Sequence, residues 1–321
     1  MRRLARMLST RRLARISLVA TLVLVAIGGF TRGSGSGYGC KDRWPLCEDG
    51  LLGGWIPRAE YHMIIEWTHR WTAGLVGILA IGTALTAWRN HRGQRRVVMP
   101  AAAAVATIGV QAWVGRLVVK GQLDADLVSV HLAISMAVVA LLTMVVVATR
   151  PAAAQDLPPR GNDRGWTRLL GVAAIGSLAL LLLGSYVHDL YISGWPLVGN
   201  TLLPNLSNRF VAVHYVHRVV AGVGLFYLGY LAFAVTKRQR PSAERLLIYG
   251  AAGAYALNVG LGAAHVFTRV GSSALVAGHL SMASLVWASL VAVTMISRSS
   301  PATPELADGA PAPLAQPPHT N

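Results

Sequence analysis

The chain has 321 residues, of which 54% are hydrophobic and 13% charged, and its formal net charge is +16. A soluble domain carries about 25% charged residues, so this composition excludes an ordinary soluble globule and indicates an integral membrane protein. No basic surface domain gathers the positive charge, which excludes nucleic acid as a partner.

In chain order, residues 1–15 are a basic N-terminus containing Arg2, Arg3, Arg6, Arg11, Arg12 and Arg15. The first apolar block, near 16–31, is shorter than the roughly 20 residues a span needs. A basic stretch before an apolar run is also the pattern of a signal peptide. No small-x-small cleavage site follows it cleanly, and the repeat described below requires this helix, so it is read as a retained span. The loop 32–61 contains both cysteines, Cys40 and Cys47, with Asp42, Glu48, Asp49 and Glu60 balancing its bases. Outside the membrane a disulfide is the default for such a pair; two free thiols or a zinc site are the alternatives. Apolar blocks recur near 62–87, 97–119 and 127–149. The polar, proline-rich segment 151–166 reads as a linker. Four more blocks follow near 167–187, 210–236, 246–266 and 272–297, and the tail 299–321 reads as disordered.

The arginines and lysines crowd alternate connections: the N-terminus, Arg89 to Arg96, Arg150 to Arg168, and Lys237 to Arg245. This is the positive-inside pattern, with both termini cytoplasmic.

The histidines reveal a repeat. His69 and His131 lie 62 residues apart (131 − 69), as do His217 and His279 (279 − 217), and the second pair follows the first at an offset of 148 (217 − 69). Each first histidine precedes an arginine, Arg70 or Arg218, and each second one a leucine. Trp44-Pro45-Leu46 returns as Trp195-Pro196-Leu197, Gly29-Phe30 aligns with Ser185-Tyr186, and Val114-Gly115 returns as Leu261-Gly262. The expected fold is therefore an all-α membrane protein of eight transmembrane helices. It is arranged as two tandem, pseudosymmetric four-helix bundles, 16–150 and 167–298.

On this topology helices 2, 4, 6 and 8 run in the same direction, and each carries one histidine roughly 7–14 Å below its outer end at 1.5 Å per residue. Two imidazoles at matched depth on parallel helices suit axial ligation of a haem. Arg70 and Arg218 are candidates for haem propionate contact, and Arg116 either snorkels or joins them. The alternative for the histidines is hydrogen bonding within the bundle. Zinc fits poorly, because it wants four ligands in one tetrahedron.

Glu66 is the only acid placed deep in a span. It lies three residues before His69 and hence on its helix face, with His62 one turn further out. A carboxylate there costs several kcal/mol or more unless paired, protonated or hydrated, a setting that suits proton transfer; the alternative is a structural pair with arginine. The second copy has His214 instead. This asymmetry makes the N-terminal half the reactive one and the C-terminal half a cofactor holder. His188 and His265 are single-copy and read as structural or interfacial; His91 and His319 receive no role.

These residues resemble the haem A synthase family, whose members convert haem O to haem A for terminal oxidases. The resemblance spans about residues 15–297. It rests on Glu66-Trp67-Thr68-His69-Arg70, His131-Leu132, Tyr215-Val216-His217-Arg218 and His279-Leu280, on Gly33-Ser34-Gly35 before Cys40, and on Trp44-Pro45-Leu46-Cys47. It implies oxidation of a haem methyl to a formyl group through hydroxylated intermediates. His217 and His279 would be the iron ligands of a resident haem b, His69 and His131 would bracket the substrate haem, Glu66 would be catalytic, and Cys40–Cys47 would be a disulfide. The implied partners are haem O, a membrane electron acceptor and, as candidates, haem O synthase, oxidase assembly factors and a second copy of the chain. Some bacterial members carry a second cysteine pair, which the loop 188–209 lacks.

Two other functions compete. A di-haem b-type electron-transfer protein would use both halves alike and leave Glu66 dispensable. A transporter would show Gly/Pro-broken helices around a midplane site, and none is seen.

Overall fold

Span length decides the architecture. A computed structural model describes residues 9–151, 163–187, 193–196, 198–199 and 201–298. It contains eight helices long and apolar enough to cross a membrane. They are α1 (Thr10–Gly33), α2 (Tyr61–Asn90), α3 (Arg95–Lys120), α4 (Ala125–Ala148), α5 (Arg164–Val187), α6 (Arg209–Lys237), α7 (Ser242–Phe267) and α8 (Ser273–Arg298). The protein is an all-helical, multi-pass membrane protein. The basic residues 1–8, most of the expected linker, His188 and the tail with His319 lie outside the described residues.

Helix starts follow from local chemistry. Ser9 caps α1, its Oγ accepting from the Arg12 N–H at 3.4 Å. The helix therefore begins six residues before the apolar block expected at 16–31, because Arg11, Arg12 and Arg15 can extend their charged heads while their stems stay helical. Asp124 caps α4, accepting from the Asp126 and Leu127 N–H groups at 3.0 and 3.1 Å. Asn208 caps α6 through the Phe210 N–H at 2.9 Å. These caps satisfy amides that a helix end leaves open, and they fix where α4 and α6 begin relative to their histidines.

Helices α1 to α4 pack in a ring in which α1 touches α2, α2 touches α3, α3 touches α4 and α4 returns to α1. Helices α5 to α8 pack the same way, α8 returning to α5. In each ring the histidine-bearing helices, α2 with α4 and α6 with α8, stand diagonally rather than as packed neighbours. The rings join where α8 meets α1 and α4, and where α4 meets α5. The main apolar core lies along this junction and inside the second ring, around Met136, Val139, Trp166, Leu170, Leu231, Trp287 and Leu290.

Polar groups stitch the junction. The Trp287 indole N–H donates to the Met136 carbonyl at 2.9 Å, and the Ser129 and Ser185 hydroxyls meet at 2.6 Å. Small residues set the approach of α1 to α8: a Cβ at Gly33 would lie 2.9 Å from Val276 Cβ, and one at Gly29 would lie 3.1 Å from Ala277 Cα. Helices in lipid gain association from such close packing.

Candidate haem site

Each of the four repeated histidines sits in the first turns of its helix. His69 and His217 are the ninth residues of α2 and α6, and His131 and His279 are the seventh residues of α4 and α8. That places each pair at about 9–12 Å from the helix start, all at the end of the molecule that carries the cysteine loop.

A glycine backs each imidazole. Gly28 on α1 lies behind His69, Gly115 on α3 behind His131, Gly184 on α5 behind His217 and Gly262 on α7 behind His279. A Cβ at these positions would stand 3.1, 3.2, 3.0 and 3.4 Å from the ring Cε1. Each ring thus turns its Cε1 toward neighbouring backbone, and at the first three positions an added methyl would press on it. Nδ1 of His279 is 3.1 Å from the Asn258 carbonyl, one turn before Gly262. A carbonyl only accepts, so this bond puts the proton on Nδ1 and leaves Nε2 as a free base. That is the orientation a metal-ligating histidine needs. The His217 Nδ1 is buried without a hydrogen-bond partner. The Nδ1 atoms of His69 and His131 are buried without a hydrogen-bond partner.

Glu66 is 3% exposed and lies one turn outward from His69. Both of its oxygens are committed. Oε2 accepts the Cys40 backbone N–H at 2.7 Å, and Oε1 accepts Arg70 Nε at 3.1 Å together with Arg70 Nη2. Nη1 of Arg70 donates to the carbonyls of Arg43, Pro45 and Leu46 at 2.7, 3.2 and 3.1 Å. The loop reaches Glu66 because residue 39 is glycine: a Cβ there would collide with the His62 carbonyl. Cys40 and Cys47 are joined as a disulfide and are both fully buried. His62 Nδ1 meets the Ser36 hydroxyl at 2.9 Å. Further along the loop, Trp67 donates to the Trp55 carbonyl at 2.9 Å, and Trp71 packs against Trp55 and Trp67 at 5.9 and 5.7 Å between centroids.

In the second ring His214 takes the place of Glu66 and is buried. Arg218 Nη1 donates to the Gly194 carbonyl, the residue before Trp195-Pro196. This matches Arg70 reaching Arg43, the residue before Trp44-Pro45. The fourth described histidine of this ring, His265, packs edge-on against His279 at 5.4 Å between centroids.

The comparisons with known proteins bear on this arrangement. The model of the COX15-CtaA family, described as "Cytochrome oxidase assembly protein", matches residues 56–295. The chain belongs to the COX15-CtaA family. A "Heme A synthase" of Alkalihalophilus pseudofirmus is 31% identical over 293 residues, covering 88% of this chain and 95% of that protein. Proteins of the same name from Staphylococcus haemolyticus and Shouchella clausii are each 29% identical, covering 82% and 89% of this chain and 88% and 96% of their own lengths.

For a member of the COX15-CtaA family, two features went unread in the sequence. Glu244 is a second buried carboxylate, 0% exposed, in the first turn of α7. It accepts Arg240 Nε and Nη2 at 3.0 Å each and the Trp166 indole N–H at 2.9 Å. Its place among Lys237, Arg238, Arg240 and Arg245 disguised it as part of a solvated connection; the Arg240/Glu244 spacing of four was the available signal. His265 was expected to be structural or interfacial, and nothing periodic ties it to His279, against which it packs.

Proposed function

We propose that this chain is a haem A synthase, an enzyme that oxidises the methyl group of haem O to a formyl group, acting as an oxidoreductase on a carbon–hydrogen bond. The observation that carries the reading is Glu66, a carboxylate fixed one turn from His69 in one ring, where the matched position in the other ring is His214. We read the rings as two copies of one unit. The repeated helix neighbours, the glycine behind each histidine and the matched arginine-to-loop bonds support this.

The residues fit the groups assigned to them. Each ring offers two imidazoles on diagonal helices, each resting on a glycine. Among the described residues no set of three or more His, Cys, Asp or Glu side chains comes together to hold a metal ion. A metal bound here would bring most of its own ligands, as a porphyrin iron does. His217 and His279 would hold a resident haem b, which supplies an electron route when bound. His69 and His131 would bracket haem O in the first ring. Arg70 and Arg218, each next in sequence to a candidate histidine, are the candidates for propionate contact. Turning a methyl into a formyl group removes hydrogen from carbon, so protons must leave. Glu66, fixed at both oxygens and shielded from bulk water, is positioned to take one or to stabilise positive charge developing nearby.

The alternation of basic connections supports cytoplasmic termini, in the inner membrane of a bacterial cell. Haem O is large and apolar, so it reaches the site through lipid. A membrane electron acceptor, haem O synthase and oxidase assembly factors are the partners this role calls for. The test is to co-express the chain with a haem O synthase and identify the haems extracted from the purified protein. A formyl haem is the expected product; haem b alone would instead mark an electron carrier and overturn the proposal.

A further inference from the structure

We infer that Arg70 is a positioning residue that makes the disulfide-closed loop 40–47 part of the Glu66 site. This builds on the function proposed above. A guanidinium has five N–H groups in a fixed fork. Nε and one Nη2 hydrogen go to Glu66 Oε1, and Nη1 goes to the carbonyls of Arg43, Pro45 and Leu46. All three carbonyls lie inside the loop that the Cys40–Cys47 bond closes. The other oxygen of Glu66 is held by the N–H of Cys40 itself. The carboxylate is therefore gripped from two sides by one covalent ring of backbone, directly through Cys40 and indirectly through Arg70.

The second ring shows what the arrangement adds. There Arg218 still reaches the carbonyl before Trp195, but His214 stands where the carboxylate was and the loop 188–209 has no cysteine. The arginine-to-loop bond belongs to both rings, whereas the closed loop and the carboxylate occur together in one. A plain bracing role would need the arginine alone. Joining loop, arginine and carboxylate serves to hold Glu66 in one orientation.

The coupling can be read in both directions. Both sulfurs are fully buried, so a dithiol reductant reaches them only when the loop lifts. Reduction then exchanges the Cys40–Cys47 bond for two thiols while the reductant becomes the cyclic disulfide. Its rate reports loop opening. In the purified full-length protein we expect Arg70→Ala to speed reduction by dithiothreitol tenfold or more, read as maleimide-polyethylene-glycol labelling. Arg218→Ala should leave the rate unchanged. Haem A formation should fall tenfold or more in Arg70→Ala, mainly in kcat rather than in KM for haem O. Arg70→Lys should recover part of the loss, because an ammonium can hold Glu66 or the loop but not both. The haem b spectrum should persist, which reports an intact fold.

Combining Arg70→Ala with Cys40→Ser and Cys47→Ser provides the decisive arm. If the three groups act as one unit, the combined variant is no worse than the poorer parent. Losses that multiply, or a reduction rate unmoved by Arg70→Ala, would overturn the inference. If the unaltered protein makes no formyl haem, the proposed function fails while the reduction-rate arm still tests the link between Arg70 and the loop.

Discussion

The two rings place their histidines alike and differ in what surrounds them. In the first, a carboxylate, an arginine and a closed loop stand beside His69. In the second, His214 fills the carboxylate position, and a further imidazole, His265, packs on the ligand candidate His279. On the corresponding turn of α3 the first ring has Val118. One ring thus has a buried carboxylate where the other has imidazoles; on the proposed function the first is the reactive ring and the second holds its group unchanged. The difference lies in a few side chains around a common frame, not in the frame itself.

The largest effect should come from removing that difference at its centre. Glu66→Gln keeps the shape and loses the charge, and we expect haem A formation to fall by roughly 10²–10⁴-fold, the span of general acid–base contributions. Haem b should remain bound, as measured by pyridine haemochrome. Normal turnover would mean that the rings do not differ in chemistry.

Next in size is a control on the idea that every buried acid here is reactive. Glu244 is as well buried as Glu66, but its partners Arg240 and Trp166 lie at the opposite end of the spans. Arg240→Ala strands a buried charge and should cost about 3–5 kcal/mol of stability, read by thermal unfolding in detergent. Turnover per folded molecule should stay unchanged; a selective loss of turnover would blur the distinction between the two acids.

A finer comparison lies within the second ring. Gly184→Ala would place a methyl 3.0 Å from the His217 ring, whereas Gly262→Ala would place one 3.4 Å from His279, an ordinary contact. The first substitution should cost about 1–3 kcal/mol of packing and lower the haem b content of purified protein. The second should leave it unchanged. Equal behaviour would show that the glycines do not set ring position.

The smallest effect is expected on the surface of the cysteine loop. The Lys41 ammonium beside Asp49 holds that carboxyl below its usual range, but both groups are exposed, and such pairs contribute little. Lys41→Ala should leave unfolding temperature and haem content unchanged between pH 5 and pH 8. A clear loss would place the loop's grip on Glu66 in its outer charges rather than in Arg70.

Much of this was legible in sequence because a membrane simplifies the problem. A span needs a long apolar run, so all eight helices were visible as runs. Only α1 was badly bounded, since its arginines interrupt the run without interrupting the helix. The histidine pairs were legible because they recur at equal spacing. The glycines behind them were half legible: Gly115 and Gly262 lie in aligned pairs, but their contact with an imidazole depends on how neighbouring helices are rotated, which no local pattern encodes. The double hold on Glu66 was beyond reach for the same reason. The Arg70 spacing allowed a pair, but the Cys40 N–H arrives from a loop whose path depends on Gly39 meeting α2.

The narrow seam between α1 and α8 has one more consequence. Gly28 supports His69, and its neighbour Gly29 would bring a Cβ to 3.1 Å from the backbone of Ala277, two residues before His279. The shelf under one imidazole and the strand of chain leading to the other therefore touch with almost nothing between them. A bulky residue at position 29 would have to push α1 away from α8, so it would disturb the backing of His69 and the turn that leads to His279 together.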